Sequence, residues 1–525
     1  KNSLMVFVAY KLVAETQSVN IYANVAAGIF ILPYFLFSAF AGLLADKYSR
    51  SKLAVELKII ELILMLTAAV IFGFENINLL IFLLFLMGLQ STFFGPVKYA
   101  LLPQILKPNE LVAGNAYIEA STYISIILGA VLGTMLPVWG SVLLLVLCAV
   151  VGVFSAYKIP KVKGVQPELK INFNLFQQIS ENIKLIRSHI IVFRAIVGAT
   201  WFWVLGVFFL TELFPLCSKV FNTEKSVVTL FLVLFSIGVG VGSFFCNKLL
   251  KGEVSVVYVP LSAVGLSVCA FAVYLLSLGF ETSDNTLSLI EFLARPRGIL
   301  LSIFLFAFAF CGGLYIVPLN ALMQKKAPKK NVASVIAGNN IVNSLGMVGI
   351  SLAAVILTAL GFKITTLFLF VAIISAGVAG SICMLLPDAL VRSIFRALLK
   401  VFFRVDVSGV ANLQKAGSKT LIIANHVSLL DGVLIAAYLP RKITFAIDSD
   451  WGAKWYVKLF GGLVDFCPLN PTNPLAIRTM IDEVNKNKTV MIFPEGRISV
   501  TGSLMKVYEG AGVIAARTGA KIVPL

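Results

Sequence analysis

Residues 425–432 read "NHVSLLDG", and His426 is one of only two histidines in the chain, the other being His189. An imidazole is among the commonest general bases because its pKa lies near neutrality. Asp431 comes five residues later, where its carboxylate can accept the other ring N–H and fix the tautomer. Such a pair suits the removal of a proton from a substrate hydroxyl while that oxygen attacks a thioester. A single His near an Asp is more often structural, so the pair alone does not decide. A second stretch, "VMIFPEGRIS" (490–499), carries Glu495, Gly496 and Arg497. Glycine lets backbone approach a ligand, and an arginine fork matches a phosphate. The bland alternative is a surface turn with an exposed arginine.

Both stretches follow short apolar runs. From about residue 405, "TLIIAN", "KITFAI", "TVMIFP" and "AKIVPL" read as strands bounded by turn residues, and "LAIRTMIDEVNKNK" has helical spacing. Strands alternating with helices predict an α/β layer, and the loops at the C-terminal ends of its strands are where such layers put function. About 120 residues can bury a core, and a final strand at the very end predicts a domain that is C-terminally incomplete. The opening at Lys1, within an apolar run, likewise reads as a fragment.

The preceding residues follow another grammar. The chain of 525 residues is 59% hydrophobic and 13% charged, against about a quarter charged in soluble proteins. Runs of about 20 apolar residues, enough to span a bilayer, occur at roughly 24–45, 54–73, 78–97, 111–136, 140–157, 191–216, 226–247, 255–280, 298–320, 333–360 and 363–386. A cut-off run at about 3–15 makes twelve. Lys and Arg crowd the connections after the even-numbered spans, which places those connections, and everything after residue 387, in the cytoplasm. The net charge of +18 is read as this bias and as attraction to anionic lipid, not as a nucleic-acid surface. The seven cysteines form no C-x-x-C pair and imply neither a disulfide framework nor a metal site.

Residues 388–404, "DALVRSIFRALLKVFFR", place Arg392, Arg396, Lys400 and Arg404 four apart, with apolar residues between. This pattern predicts a basic amphipathic helix lying in the lipid interface, its cations on anionic head groups. The alternative is a helix packed onto the following domain.

Internal repetition supports a two-part bundle. "VKYALLPQILKPNELVAGNAYIEAS" (97–121) and "LNALMQKKAPKKNVASVIAGNNIVNS" (319–344) share an AL pair followed by AGN. Two six-span repeats joined by a long basic loop resemble the major facilitator superfamily. "GLLADKYSRSK" (42–52) is similar to that superfamily's loop signature, supplying Gly42 for close helix packing, Asp46 for pairing across the cytoplasmic face, and Arg50. Glu119 and Asn343 each lie four residues past an AGN; polar residues at bilayer depth tend to face a cavity, and both are expected to line the transport cavity.

"NHVSLLD" and "FPEGRIS" together resemble the first and third motifs of the glycerophospholipid acyltransferase family. The resemblance implies that His426 is the base and Asp431 its orienter. It implies that Glu495 and Gly496 bind the acceptor phosphate, with Arg497, Asn425 and Ser428 as further substrate-binding residues. Arg497 stands where the family often has Thr, and Ile498 where it usually has Arg. The region of the second motif, "GGLVDFCPLNPTNPLAI" (461–477), has no arginine before Arg478, so no phosphate-binding arginine is assigned there. These variants look closer to bacterial 2-acylglycerophosphoethanolamine acyltransferases, in many of which an acyl-carrier-protein synthetase domain follows. "GPVKYALLPQ", "AGNAYIEAS" and "VPLNALMQ" look similar to bacterial lysophospholipid transporters.

The expected architecture is therefore an all-α major facilitator bundle (1–387), an interfacial helix (388–404) and an α/β acyltransferase domain (405–525). The resemblances imply uptake of lysophospholipid at the bacterial inner membrane and its re-acylation on the cytoplasmic side. The acyl donor would be acyl-carrier protein or acyl-CoA, with no bound cofactor, no metal and no nucleic acid. Two rivals remain open: an enzyme making phosphatidic acid with the bundle as an anchor, and a small-solute exporter with a non-catalytic tail.

Overall fold

The computed structural model describes residues 19–74, 77–280, 285–439, 441–449, 454, 464–469 and 475–525. The chain divides into two compact units, Lys1–Gly380 and Ser381–Leu525.

The first unit is helical. Its first half holds α1 (Val19–Lys47), α2 (Arg50–Phe74), α3 (Ile77–Ile105), α4 (Leu111–Met135) and α5 (Val138–Tyr157). After α6 (Leu175–Ser188), the second half holds α7 (Ile190–Pro215), α8 (Lys225–Leu250), α9 (Val259–Leu278), the short α10 (Leu289–Ala294), α11 (Pro296–Lys326), α12 (Val332–Ala359) and α13 (Ile364–Leu385). Among the described residues, ten helices are long and apolar enough to cross a membrane. Helix α2 is as long, but Arg50, Lys52, Glu56, Lys58 and Glu61 occupy its first half. The span expected at 3–15 lies outside the described residues.

Helix α6 was hidden in the long basic connection. Asn174 caps it by accepting from Gln177 N at 3.1 Å, and its face of Gln178, Asn182 and Ile186 is buried. Asn182 Nδ2 donates to Ser334 O of α12 at 2.8 Å, so this connection is packed structure and not a free linker.

The two halves of the bundle meet where α1 crosses α12. A Cβ added at Gly42 would lie 2.7 Å from Ala337 Cβ and 2.9 Å from Ser334 Cα, closer than packed carbons come. Only a residue without a side chain allows this approach.

The second unit carries a parallel five-stranded sheet in the order β3-β2-β4-β1-β5. Its strands are β1 (Thr420–Ile423), β2 (Thr444–Asp448), β3 (Asp465–Leu469), β4 (Thr489–Ile492) and β5 (Lys521–Pro524). Alternation along the strands builds two cores. Ile422, Phe445 and Met491 face one side, with Leu413, Ala436 and Leu439. Leu421, Val490 and Cys467 face the other, with Met480, Val484 and Ile514. Each fully buried Leu, Ile, Val or Met side chain stabilises this layer by about 1.5–3 kcal/mol. The helices α14 (Pro387–Phe402), α15 (Val410–Ala416) and α16 (Leu430–Tyr438) serve the first core, and α17 (Leu475–Asn485) and α18 (Gly510–Thr518) the second. Strand β3 escaped the sequence reading because it holds Pro468, which an edge strand tolerates.

Helix α14 corrects one expectation. Arg392 and Arg396 do not face head groups; both are buried. Arg396 Nε donates to Ala437 O at 2.6 Å and its Nη2 to Tyr438 O at 3.2 Å, while Arg392 Nη1 donates to Leu439 O at 3.0 Å. These are the terminal carbonyls of α16, which no further helical N–H reaches and whose negative dipole end favours a cation. Val391 and Phe395 pack inward on the first core, so α14 is part of the α/β unit.

Candidate functional site: the His426 loop and the buried polar cluster of the bundle

Strand β1 ends at Ile423, and the loop to α16 carries Asn425, His426 and Ser428; Asp431 lies in the first turn of α16. His426 Nδ1 is 3.1 Å from Asp431 Oδ2. The same oxygen accepts from Val427 N at 2.8 Å and Ser428 N at 2.9 Å. Ser428 Oγ accepts from Leu430 N at 3.1 Å, which shapes the turn. A carboxylate only accepts, so in the neutral imidazole this contact selects the Nδ1–H tautomer and leaves Nε2 its lone pair. This is the tautomer a general base needs.

The neighbouring strand supplies the second wall. Strand β4 pairs with β1, so the loop after it meets the His426 loop. Phe493 stacks on the imidazole with ring centroids 4.0 Å apart and planes inclined by 13°. Ser499 N donates to His426 O at 2.7 Å. The Asp431 bond fixes one edge of the imidazole and Phe493 one face.

Glu495 departs from the phosphate contact that the motif implied. It is 2% exposed, and its two oxygens accept from His426 N and Met505 N, each at 3.4 Å. These bonds tie the His426 loop to the loop after β4. Gly496 adopts φ +66°, the left-handed conformation that turns the chain out of β4, and is exposed. Arg497 is exposed too and makes no hydrogen bond or ion pair with the described residues, as is the case for the exposed Asn425 side chain. Sequence reasoning missed Phe493 and Ser499 as positioning residues, although both lie in the quoted motif. The rim is apolar: Val427, Leu429 and Leu504 are exposed, and Val500 is 98% exposed. A Cβ at Gly502 would lie 3.9 Å from Val427 Cγ1, so the two loops adjoin.

In the bundle, Glu119 of α4 is fully buried and accepts from Tyr99 Oη of α3 at 2.8 Å and Asn320 Nδ2 of α11 at 3.0 Å, both through Oε1. Its Oε2 has no hydrogen-bond partner among the described residues. One turn earlier, Asn115 and Gln324 exchange two amide hydrogen bonds, of 2.7 and 3.0 Å, both buried. Asn343 stands apart, accepting from Thr200 Oγ1 at 2.7 Å, so the structure does not bring Glu119 and Asn343 together. The polar layer is instead Tyr99, Asn115, Glu119, Asn320 and Gln324, and it bridges the two halves. Asn115 and Gln324 belong to the repeated segments, which was the available signal.

At the α1–α2 connection, Asp46 is fully buried. Its Oδ1 accepts from Arg50 Nη2 at 2.7 Å and Ala333 N at 3.0 Å. Its Oδ2 accepts from Ser334 N at 2.9 Å and Ser334 Oγ at 2.7 Å. The amides belong to the first turn of α12, whose dipole favours an anion. Arg50 also donates to Ala45 O and Ala100 O.

A two-half helical bundle with this latch, followed by an α/β unit with a loop-held His–Asp pair, defines a transporter-fold membrane protein fused to a transferase-type domain. Residues 2–350 match the model of the Major Facilitator Superfamily, and the chain belongs to that superfamily. Residues 404–525 match the Acyltransferase model, so one chain carries both. The bundle is similar to "Lysophospholipid transporter LplT" of Citrobacter koseri, 27% identical over 337 residues, covering 61% of this chain and 74% of that protein. The protein of the same name from Escherichia coli O1:K1 / APEC is 28% identical over 333 residues, with the same coverage. Among solved structures, a bacterial homologue of the iron transporter ferroportin in an outward-facing state superposes with TM-score 0.54 at 15% identity, covering 73% of this chain and 95% of that one. The human organic anion transporter MFSD10 superposes with TM-score 0.53 at 12% identity, covering 71% and 89%. These structural likenesses establish the fold alone.

Proposed function

We propose that this multi-pass protein moves lysophospholipid across the bacterial inner membrane and re-acylates it on the cytoplasmic side. The observation that carries the reading is the His426–Asp431 pair, beside the exposed apolar residues Val427 and Leu429, on the same chain as a bundle similar to lysophospholipid transporters. The lysine-rich connections after the even-numbered spans support a cytoplasmic acyltransferase domain.

The acceptor is a lysophospholipid, with lysophosphatidylethanolamine as the favoured head group. Its acyl chain lies along Val427, Leu429, Val500 and Leu504. Its free hydroxyl meets His426 Nε2, and Arg497 reaches the phosphate. The hydroxyl oxygen attacks the carbonyl of a thioester on acyl-carrier protein or coenzyme A while Nε2 takes its proton. Asp431 stabilises the imidazolium. The attack forms the new C–O bond; collapse of the tetrahedral intermediate restores C=O and breaks C–S, and the imidazolium gives its proton to the departing thiolate.

The test is reconstitution of the full chain with labelled lysophosphatidylethanolamine, measuring movement between leaflets and conversion to diacyl lipid on addition of acyl-carrier thioester. Movement with conversion is expected. Movement without conversion under either thioester removes the enzymatic half, and conversion without movement leaves the bundle as an anchor.

A further inference from the structure

With Arg392 and Arg396 turned inward, helix α14 presents the opposite of its sequence appearance. Ile394, Leu398, Val401 and Phe402 are all exposed, Val401 by 77% and Phe402 by 74%. They fall at i, i+4, i+7 and i+8, one continuous apolar stripe along the helix. Val391, Phe395 and Leu399 already fill the core side, so this stripe is a second apolar face. A stripe of this size on a helix that also has a buried face marks a contact surface.

Chain connectivity names what covers it. Helix α13, one of the ten bilayer-length helices, ends at Leu385, and α14 begins at Pro387. Leu386, with φ −133° and ψ 54°, breaks the helix between them. With only Leu386 between them, the first turn of α14 starts where α13 leaves the bilayer. Lys400 and Arg404, at the C-terminal end of the helix, are both exposed.

We propose that α14 lies in the head-group layer of the bilayer with Ile394, Leu398, Val401 and Phe402 inserted among the lipids. The buried arginines hold the α/β unit on its other side. Through this apolar insertion α14 attaches the acyltransferase domain to the lipid surface, and the cations play the lesser part. This does not depend on the enzymatic reading.

The test places the photo-crosslinker p-benzoylphenylalanine at Val401 or Phe402 in the full chain, reconstituted in lipid vesicles, with adducts identified by mass spectrometry. Leu147, exposed on the bilayer-length α5, is the lipid control, and Lys486, in the turn between α17 and β4, is the aqueous control. Lipid adducts at Val401 and Phe402 as at Leu147, with their loss at Lys486, are expected. Adducts to peptides of this chain or of a second copy would overturn the proposal by giving the stripe a protein partner. So would an absence of adducts at both positions while Leu147 is labelled.

Discussion

Asp46 and Ser334, 288 residues apart, join the two halves of the bundle through hydrogen bonds from the Ser334 amide and hydroxyl to one carboxylate oxygen. The other oxygen holds Arg50 and the Ala333 amide. An Asp46→Ala change leaves Arg50 buried without its counter-ion, a loss of about 3–5 kcal/mol for a broken buried pair. The variant is expected to melt well below the parent, with Asp46→Asn between them because an amide oxygen still accepts. Ser38→Cys, one turn from Gly42 and fully buried, is expected to react with maleimide faster in the Asp46→Ala background. Unchanged melting and labelling would remove the latch.

Glu119 offers a second handle on the bundle. Glu119→Gln keeps an oxygen for Tyr99 and Asn320, so the change reports chiefly on charge. If the carboxylate meets a substrate amine, lysophosphatidylethanolamine slows more than lysophosphatidylglycerol in a flip assay. Equal slowing of both, or none, takes Glu119 out of head-group recognition.

Much of this was readable in the sequence, and what was not has physical causes. The strands at 420–423 and 489–492 announce themselves as short apolar runs bounded by turn residues, and the loops after them carry the motifs. The bundle follows from run length alone. Asp46 was visible as a signature residue, but its partners on α12 are not, because no local periodicity encodes a contact across 288 residues. The Glu119–Asn320 bond is hidden for the same reason, at a separation of 201. For α14 the pattern was right and the orientation wrong. Arginine every fourth residue reads as a solvated stripe unless one knows that the carbonyls of Ala437, Tyr438 and Leu439 await donors.

That correction changes what Arg396 should do. Burial, and then the neighbouring Arg396, hold the Arg392 guanidinium below its ordinary pKa, and the α16 carbonyls accept from both guanidinium groups. Arg396→Ala removes two charge-assisted bonds, at about 1.5–3 kcal/mol for a hydrogen bond to a charged group. Residues 405–525 of the full chain are expected to become protease-sensitive. Arg396→Lys should rescue only in part, since an ammonium lacks the planar fork that reaches both carbonyls. Full protection in Arg396→Ala would show that the capping bonds contribute nothing.

Glu495 and Arg497, adjacent in sequence, are expected to fail differently. Arg497→Ala removes an exposed cation from the rim, so acceptor KM rises more than kcat falls. Glu495→Ala releases the backbone of His426 and Met505, so kcat falls with little selective effect on KM, and Glu495→Gln recovers part of it. Steady-state acyl incorporation across a range of lysolipid concentrations separates them. A KM effect confined to Glu495 would restore the phosphate-binding assignment.

His426→Ala is expected to abolish acyl transfer while leaving lysolipid movement intact. The residue lies in the second unit, past the last bilayer-length helix, and moving a lysolipid between leaflets requires no proton from it. Without the base the acceptor attacks as a neutral alcohol, a loss on the order of 10²–10⁴-fold from general-base catalysis. Asp431→Asn is expected to be as damaging for two reasons. An amide can donate to Nδ1 and so favour the tautomer whose Nε2 carries the proton, and it no longer stabilises the imidazolium. The carboxylate oxygen also accepts from Val427 N and Ser428 N, so Asp431→Ala loosens the loop itself. Phe493→Leu separates orientation from chemistry: it keeps apolar bulk but loses the ring stacked 4.0 Å from the imidazole. Its kcat should fall less than in His426→Ala, with KM little changed, because the base remains and only its orientation is loosened. Acyl incorporation and lysolipid movement are read on the same proteoliposomes. Near-normal acylation by a well-folded His426→Ala protein would defeat the catalytic assignment, and lost movement in that variant would show that the two activities are not separable.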